Sequence, residues 1–119
     1  MDQDRRNQWL RGVLDLCVLA LLADRESYGY ELAQSLESAG IGHIQGGTLY
    51  PVLLRLQKTG LVTTRWQDGG SGPARKYYRL TPEGEAALSR DGQDWQTFAG
   101  IVTALVGAGG PQHREGVPS

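Results

Sequence analysis

Between Trp9 and Ala23 apolar residues crowd the chain too densely for a single buried face. Leu10, Leu14, Cys17 and Leu21 form one helical stripe, Leu16, Leu19 and Ala23 a second, and Val13, Val18 and Leu22 fill the space between them. A short helix that is apolar nearly all round must be covered on more than one side. In so short a chain, a second subunit is the expected second cover. Residues 1–8 are polar and predict a flexible arm. Asp24-Arg25-Glu26-Ser27 breaks the pattern, and Ser27 reads as the N-cap of a second helix from Tyr28 to Ala39, with Leu32, Ala33, Leu36 and Ala39 inward and Gly40 as its stop. A third helix is expected from Thr48 to Thr59, with Leu49, Leu53 and Leu56 inward and Gly60 closing it. Begun at Thr48, it holds Pro51 harmlessly in its first turn; begun earlier, it is expected to kink there.

The period then changes from helical to alternating. Leu61 to Trp66 is β-branched and aromatic, as is fitting for a strand, and Arg75 to Leu80 makes a second strand. The segment 67–74, rich in glycine, predicts a long mobile tip between them. Thr81-Pro82-Glu83 opens a last helix with Thr as N-cap, Pro at the first helical position, and Glu83 and Glu85 near the positive end of the dipole. Leu88, Trp95 and Val102 recur every seven residues, with Phe98 and Leu105 offset by three, which is a seam for packing on a partner helix. Gly92 interrupts that seam and predicts a bend or break. From Gly107 the composition predicts a disordered tail. The expected division is an arm over 1–8, a winged-helix domain over 9–80, a dimerisation helix over 81–106 and a tail over 107–119. The fold class is mainly α with a small β-hairpin.

The formal net charge of the 119 residues is −1, but it is unevenly spread. Residues 1–54 sum to −3, residues 55–79 to +5 and residues 80–119 to −3. The block holding Arg55, Lys58, Arg65, Arg75, Lys76 and Arg79 is expected to give one face a positive potential. The single cysteine, Cys17, excludes an internal disulfide and suits a reducing compartment. The longest apolar run, Leu16 to Ala23, is eight residues, well short of a membrane span. Mixed charge at the start argues against a signal peptide, and the cytoplasm is the expected location. His43 and His113 have no neighbours at metal-ligand spacing, Cys17 sits in an apolar helix, and no catalytic constellation or cofactor motif emerges. An enzyme is not expected.

Three helices, a hairpin and a further helix follow the order of a winged helix-turn-helix, whose third helix enters the DNA major groove while its wing meets the backbone or minor groove. The alternatives are a winged-helix module that binds a protein partner through the same face, and a regulator without a small ligand.

Four ordered motifs make the reading more specific: Tyr28-Gly29-Tyr30-Glu31-Leu32, Gly47-Thr48-Leu49-Tyr50-Pro51-Val52-Leu53-Leu54-Arg55-Leu56, Gly60-Leu61-Val62, and Gly72 to Gly84 with its Pro-Ala-Arg-Lys-Tyr-Tyr-Arg-Leu-Thr-Pro-Glu core. Over roughly residues 10–106 the chain resembles the PadR family of bacterial transcriptional regulators, in its compact branch with a short last helix. That resemblance implies a homodimer formed through the first and last helices. It also implies a repressor that leaves its double-stranded DNA operator when a hydrophobic or aromatic effector binds.

Candidate DNA contacts are Thr48 and Tyr50 at the exposed start of the third helix, Arg55 and Lys58 on its outward face, and Arg75 and Lys76 after the wing tip. Ser27 and Tyr28, at the N-terminus of the second helix, could hold a phosphate. One of Tyr77 and Tyr78 must face the core. Trp95 and Phe98 are candidates for an effector slot, a role the family implies, with simple interface packing as the alternative. The expected dimer interface is Leu10, Leu14, Cys17, Leu88, Trp95, Phe98, Val102 and Leu105. Trp66 is expected to pack at the domain edge, and Trp9 to staple the first helix to its partner.

Overall fold

A computed structural model describes residues 1–109 of the chain. The elements are α1 (Gln3–Leu10), α2 (Leu14–Asp24), β1 (Ser27–Tyr28), α3 (Gly29–Ser38), α4 (Gly46–Lys58), β2 (Val62–Gly69), β3 (Gly72–Leu80) and α5 (Pro82–Gly109). The chain is thus mainly helical with a small antiparallel sheet, the fold class that the sequence predicts. Two compact units emerge, one through Leu88 and one from Ser89 onward.

Several boundaries differ from expectation. The arm expected over 1–8 is helical from Gln3 onward. Asp2 caps α1 by accepting the Arg5 N–H at 2.7 Å, a role suited to a short carboxylate ahead of a polar run. The expected continuous helix from Trp9 is interrupted at residues 11–13, so α1 and α2 are separate. The helix expected third is α4, and it begins at Gly46. Pro51 is therefore its sixth residue and has no N–H to offer the Gly47 carbonyl. Gly40 and Gly60 stop α3 and α4 with φ of 93° and 79°, in the left-handed region.

The first unit is organised around Val18, Leu32 and Leu53, none of which has any accessible surface. Leu10, Leu14, Leu22, Leu36, Leu49 and Leu56 surround them, and the sheet closes the cluster with Val62, Tyr78 and Leu80. Ala39, expected inward, is exposed. The strand order is β1-β3-β2. Strand β1 pairs Ser27 with Tyr78 and Tyr28 with Tyr77. The wing is longer than predicted. Residues 67–69 and 72–74 belong to paired strands, with an irregularity between Gln67 and Gly69, and only Gly70 and Ser71 form the turn.

Two motifs form the junction between the wing and α5. The Thr81 hydroxyl donates to the Gly60 carbonyl at 2.6 Å and accepts the Gly84 N–H at 3.0 Å. Thr81 is the expected N-cap. Gly84 lies so close to Leu61 that a Cβ there would collide with the Leu61 carbonyl. The second unit continues α5 from Ser89 to Gly109 without a break, so Gly92 does not interrupt it. Residues 107–109, assigned to a tail from sequence, are helical; the rest of that tail, with His113, lies outside the described residues.

Candidate nucleic-acid interface

Helix α4 buries Leu49, Val52, Leu53 and Leu56. At 100° per residue the ridge opposite this set is Gly47, Pro51, Leu54 and Lys58, and all four are exposed. Thr48 and Tyr50 flank that ridge. Thr48 is exposed and shares a stripe with Val52 and Arg55, turned toward α2. Tyr50 lies on the wing side, about half exposed, with its ring over Gly29. A Cβ on Gly29 would stand 2.8 Å from Tyr50 Cζ, so the Tyr-Gly-Tyr and Thr-Leu-Tyr motifs are two halves of one contact.

Strand alternation distributes the basic residues of the wing. Lys76 shares a face with buried Tyr78 and Leu80. Its Nζ donates to Gln57 Oε1 at 3.4 Å and sits 5.5 Å from the Tyr78 ring, tying the wing to α4. Burial pushes the Tyr78 phenol up from its ordinary pKa. Arg75, Tyr77 and Arg79 belong to the opposite face. There the Arg75 guanidinium lies 4.7 Å from the Tyr28 ring, Tyr28 meets Tyr77 edge-on at 5.4 Å, and Arg65 lies 4.8 Å from Tyr77. Of the two tyrosines, Tyr78 is the core residue, as the need for one inward ring predicts.

The positive block is therefore not one continuous surface. Arg55 is not on the outward ridge; it forms a two-pronged pair with Asp15 of α2, at 2.7 Å and 3.1 Å. Arg65 is likewise bonded by two nitrogens to Glu26, with Nε to Oε1 at 3.0 Å. The Arg65 hydrogen bonds hold the Glu26 carboxyl below its ordinary range. Lys58 is exposed on the ridge, as expected. Ser27 does not offer its hydroxyl to a phosphate: it is 3% exposed, faces the core with Tyr78 and donates weakly to the Arg25 carbonyl. The N-cap of α3 is Tyr28, whose backbone N–H donates to Glu31 at 3.3 Å. Trp66, expected to pack at an edge, is 68% exposed and pairs across the ribbon with Lys76. The Asp15 and Glu26 pairings were not legible in sequence, because the partners lie 40 and 39 residues apart.

Residues 18–90 match the transcriptional regulator PadR-like family. The chain is a member of that family. A transcriptional regulator of Mycobacterium tuberculosis is 37% identical over 109 residues, covering 92% of this chain and 95% of that protein. A PadR family transcriptional regulator structure from Eggerthella lenta superposes with a TM-score of 0.75 at 39% identity, covering 83% and 86% of the two chains. A PadR-like regulator structure from Bacillus cereus gives 0.74 at 37% identity, covering 83% and 96%. This PadR-like chain is accordingly a DNA-binding transcriptional regulator and not an enzyme, as the motifs imply.

Other expected roles in this PadR-like protein divide between its two units. In the first, Leu10 and Leu14 are buried within the chain's own core, so they are not free to meet a partner. Cys17 and Leu88 are partly buried against the same core, and burial raises the Cys17 thiol's pKa. Trp9 is exposed, with the Arg5 guanidinium 6.0 Å from its ring. A cleft of about 500 Å³ opens between α1, α2 and α4, lined by Asn7, Leu10, Asp15, Thr48 and Arg55 among others. In the second unit, Trp95, Phe98, Val102 and Leu105 are all exposed, together with Ile101 and Val106, which sequence reasoning did not single out. Among the described residues, no helix is long and apolar enough to cross a membrane.

Proposed function

We propose that the chain is a cytoplasmic homodimeric repressor that inserts α4 into the major groove and lays its wing along the DNA backbone. The observation that carries this reading is the Lys76–Gln57 bond, which ties the wing to α4, the helix whose outer ridge stays exposed. Thr48, Tyr50 and Lys58 meet the groove and its walls, while Arg75 and Lys76 meet phosphate. Tyr28 sets the Arg75 guanidinium. Arg55 serves α4 through Asp15. The apolar row of distal α5 supplies one surface for a second copy, and the half-covered face of α2 around Leu16 and Cys17 supplies another. Two reading helices then meet half-sites about 34 Å apart, one turn of duplex. Occupancy of such a site blocks transcription sterically. An apolar or aromatic effector stacked on Trp95 and Phe98 would favour a subunit spacing that no longer fits the operator.

The test begins with selection of duplexes from a random-sequence library by the full chain, followed by anisotropy titration over salt. If the dimer neutralises about 6–10 phosphates, log affinity falls with log salt at a slope near −0.9 per contact. The Arg75→Ala, Lys76→Ala variant is expected to bind all duplexes more weakly and with a shallower slope. A flat salt response overturns the reading. For the effector, Trp95 fluorescence in a Trp9→Phe, Trp66→Phe background should quench with aromatic compounds that also release DNA; quenching without release leaves a regulator whose ligand does not control it.

A further inference from the structure

The ridge that α4 turns to solvent carries almost no hydrogen-bonding chemistry. Gly47 has no side chain, and a Cβ built there would meet nothing within 4 Å. Pro51 is exposed and apolar, and Leu54 keeps 51% of its surface exposed in the middle of the ridge. Only Lys58, at the far end, is polar. Thr48 and Tyr50 lie to either side of the ridge, Tyr50 with its ring over Gly29. We infer that this ridge, Gly47, Pro51 and Leu54, reads thymine methyl groups in the major groove. The inference rests on the DNA-reading role proposed for α4 and gives that role its base class.

Thymine is the only base of the four that offers an apolar group at the major-groove edge; the others present donors and acceptors alone. A leucine pressed against a guanine or cytosine edge strips water from polar atoms and returns no hydrogen bond, which disfavours those bases at the same positions. The bare Gly47 lets a base edge or sugar approach the helix backbone closely. Positive charge stands on the surrounding surface, with Lys58 on the ridge itself and Lys76 bonded to Gln57 beside it. A duplex is therefore the complementary occupant of this apolar stripe, with phosphates outside and methyl groups at the centre.

The experiment takes a duplex selected by the full chain from the random-sequence library and replaces its thymines one at a time with deoxyuridine, which removes the methyl group and leaves the pairing intact. At one or two positions in each half-site, affinity should fall about fourfold, the value of one buried methyl-sized group. Leu54→Ala, an exposed substitution whose fold is checked by circular dichroism, should weaken binding and erase the uridine penalty at those positions. Thr48→Ala should leave that penalty in place. Tight, salt-dependent binding with no uridine penalty anywhere overturns this inference while the DNA-reading role of α4 stands. A penalty that survives in Leu54→Ala overturns the assignment to the ridge. Failure to enrich any duplex defeats both readings together.

Discussion

The two units of this chain treat the same kinds of residue in opposite ways. Through Leu88, most large aliphatic side chains are enclosed, with Leu32 and Leu53 at zero exposure and Leu54, at 51%, the clear exception. From Ser89 onward, Phe98, Ile101, Leu105 and Val106 each expose more than half of their surface. The first unit can offset its ordering entropy from its own burial. Distal α5 cannot, since an apolar row in water adds nothing to folding until something covers it. One region is stabilised from within, and the other leaves an apolar row exposed that, in the proposed dimer, a second copy would cover.

Equivalent truncations should separate the two regimes. Leu53→Ala leaves a cavity at the centre of the first unit and should cost about 2–5 kcal/mol, read as a lower denaturant midpoint that does not depend on protein concentration. Leu105→Ala should leave the midpoint of the dilute chain unchanged. In the proposed dimer it should instead weaken the rise of thermal midpoint with concentration and shift sedimentation toward the monomer. Equal effects at both sites would erase the distinction between enclosed core and exposed row.

Glycine sharpens the comparison with smaller effects of opposite sign. Gly29→Ala drives a methyl group into the Tyr50 ring and should destabilise the first unit by about 1–3 kcal/mol. Tyr50→Ala in the same chain should relieve most of that loss, a non-additive pair in a double-mutant cycle. Gly92 sits within α5, where a Cβ meets nothing within 4 Å. Gly92→Ala should therefore raise helicity and stability by up to about 1 kcal/mol, checked by circular dichroism and thermal melting. Two losses, or two gains, would contradict the packing described for these positions.

What could be read from sequence follows the range of the forces involved. Helix α4, its buried leucines and the Thr81 cap rest on local periodicity and local hydrogen bonds, so the chain displays them directly. Strand β1 is two residues long and exists only because β3 pairs with it, and nothing within Ser27-Tyr28 signals a strand. That pairing also inverts the expected roles of the two residues, turning Ser27 to the core and Tyr28 to the outer face. The wing differs from expectation for a related reason: Asp68 to Gly72 has turn composition, yet the ladder begun at Val62 and Leu80 resumes after a register shift between Gln67 and Gly69 and ends at the Gly69–Gly72 pair. For Arg55, the buried set of α4 already implied a side-facing position. Its partner Asp15 lies on another helix, beyond any local pattern. Of the candidate site, then, the exposure of Lys58 and the need for one of Tyr77 and Tyr78 to face the core were legible, and the carboxylates that engage two of its arginines were not.

The smallest expected effect belongs to one of those pairs and tests whether charge contributes to the stability of the first unit. Folding brings Arg65 to Glu26, so this carboxyl titrates lower in the folded chain than in the unfolded chain, where its ordinary value is 4.5. The pair therefore favours the folded state at pH values above that range, and its contribution is lost as pH falls through the folded value. Arg65→Gln removes it. Thermal midpoints of the parent and Arg65→Gln chains should differ modestly at neutral pH and low salt, because the pair lies at the surface, between the wing and the residue before β1. The gap should narrow with added salt and close in acid. A gap that is the same at neutral and acid pH would mean that the guanidinium acts through its packing on the Tyr77 ring instead. In that event the first unit would owe its stability to enclosure alone, and its contrast with distal α5 would be sharper still.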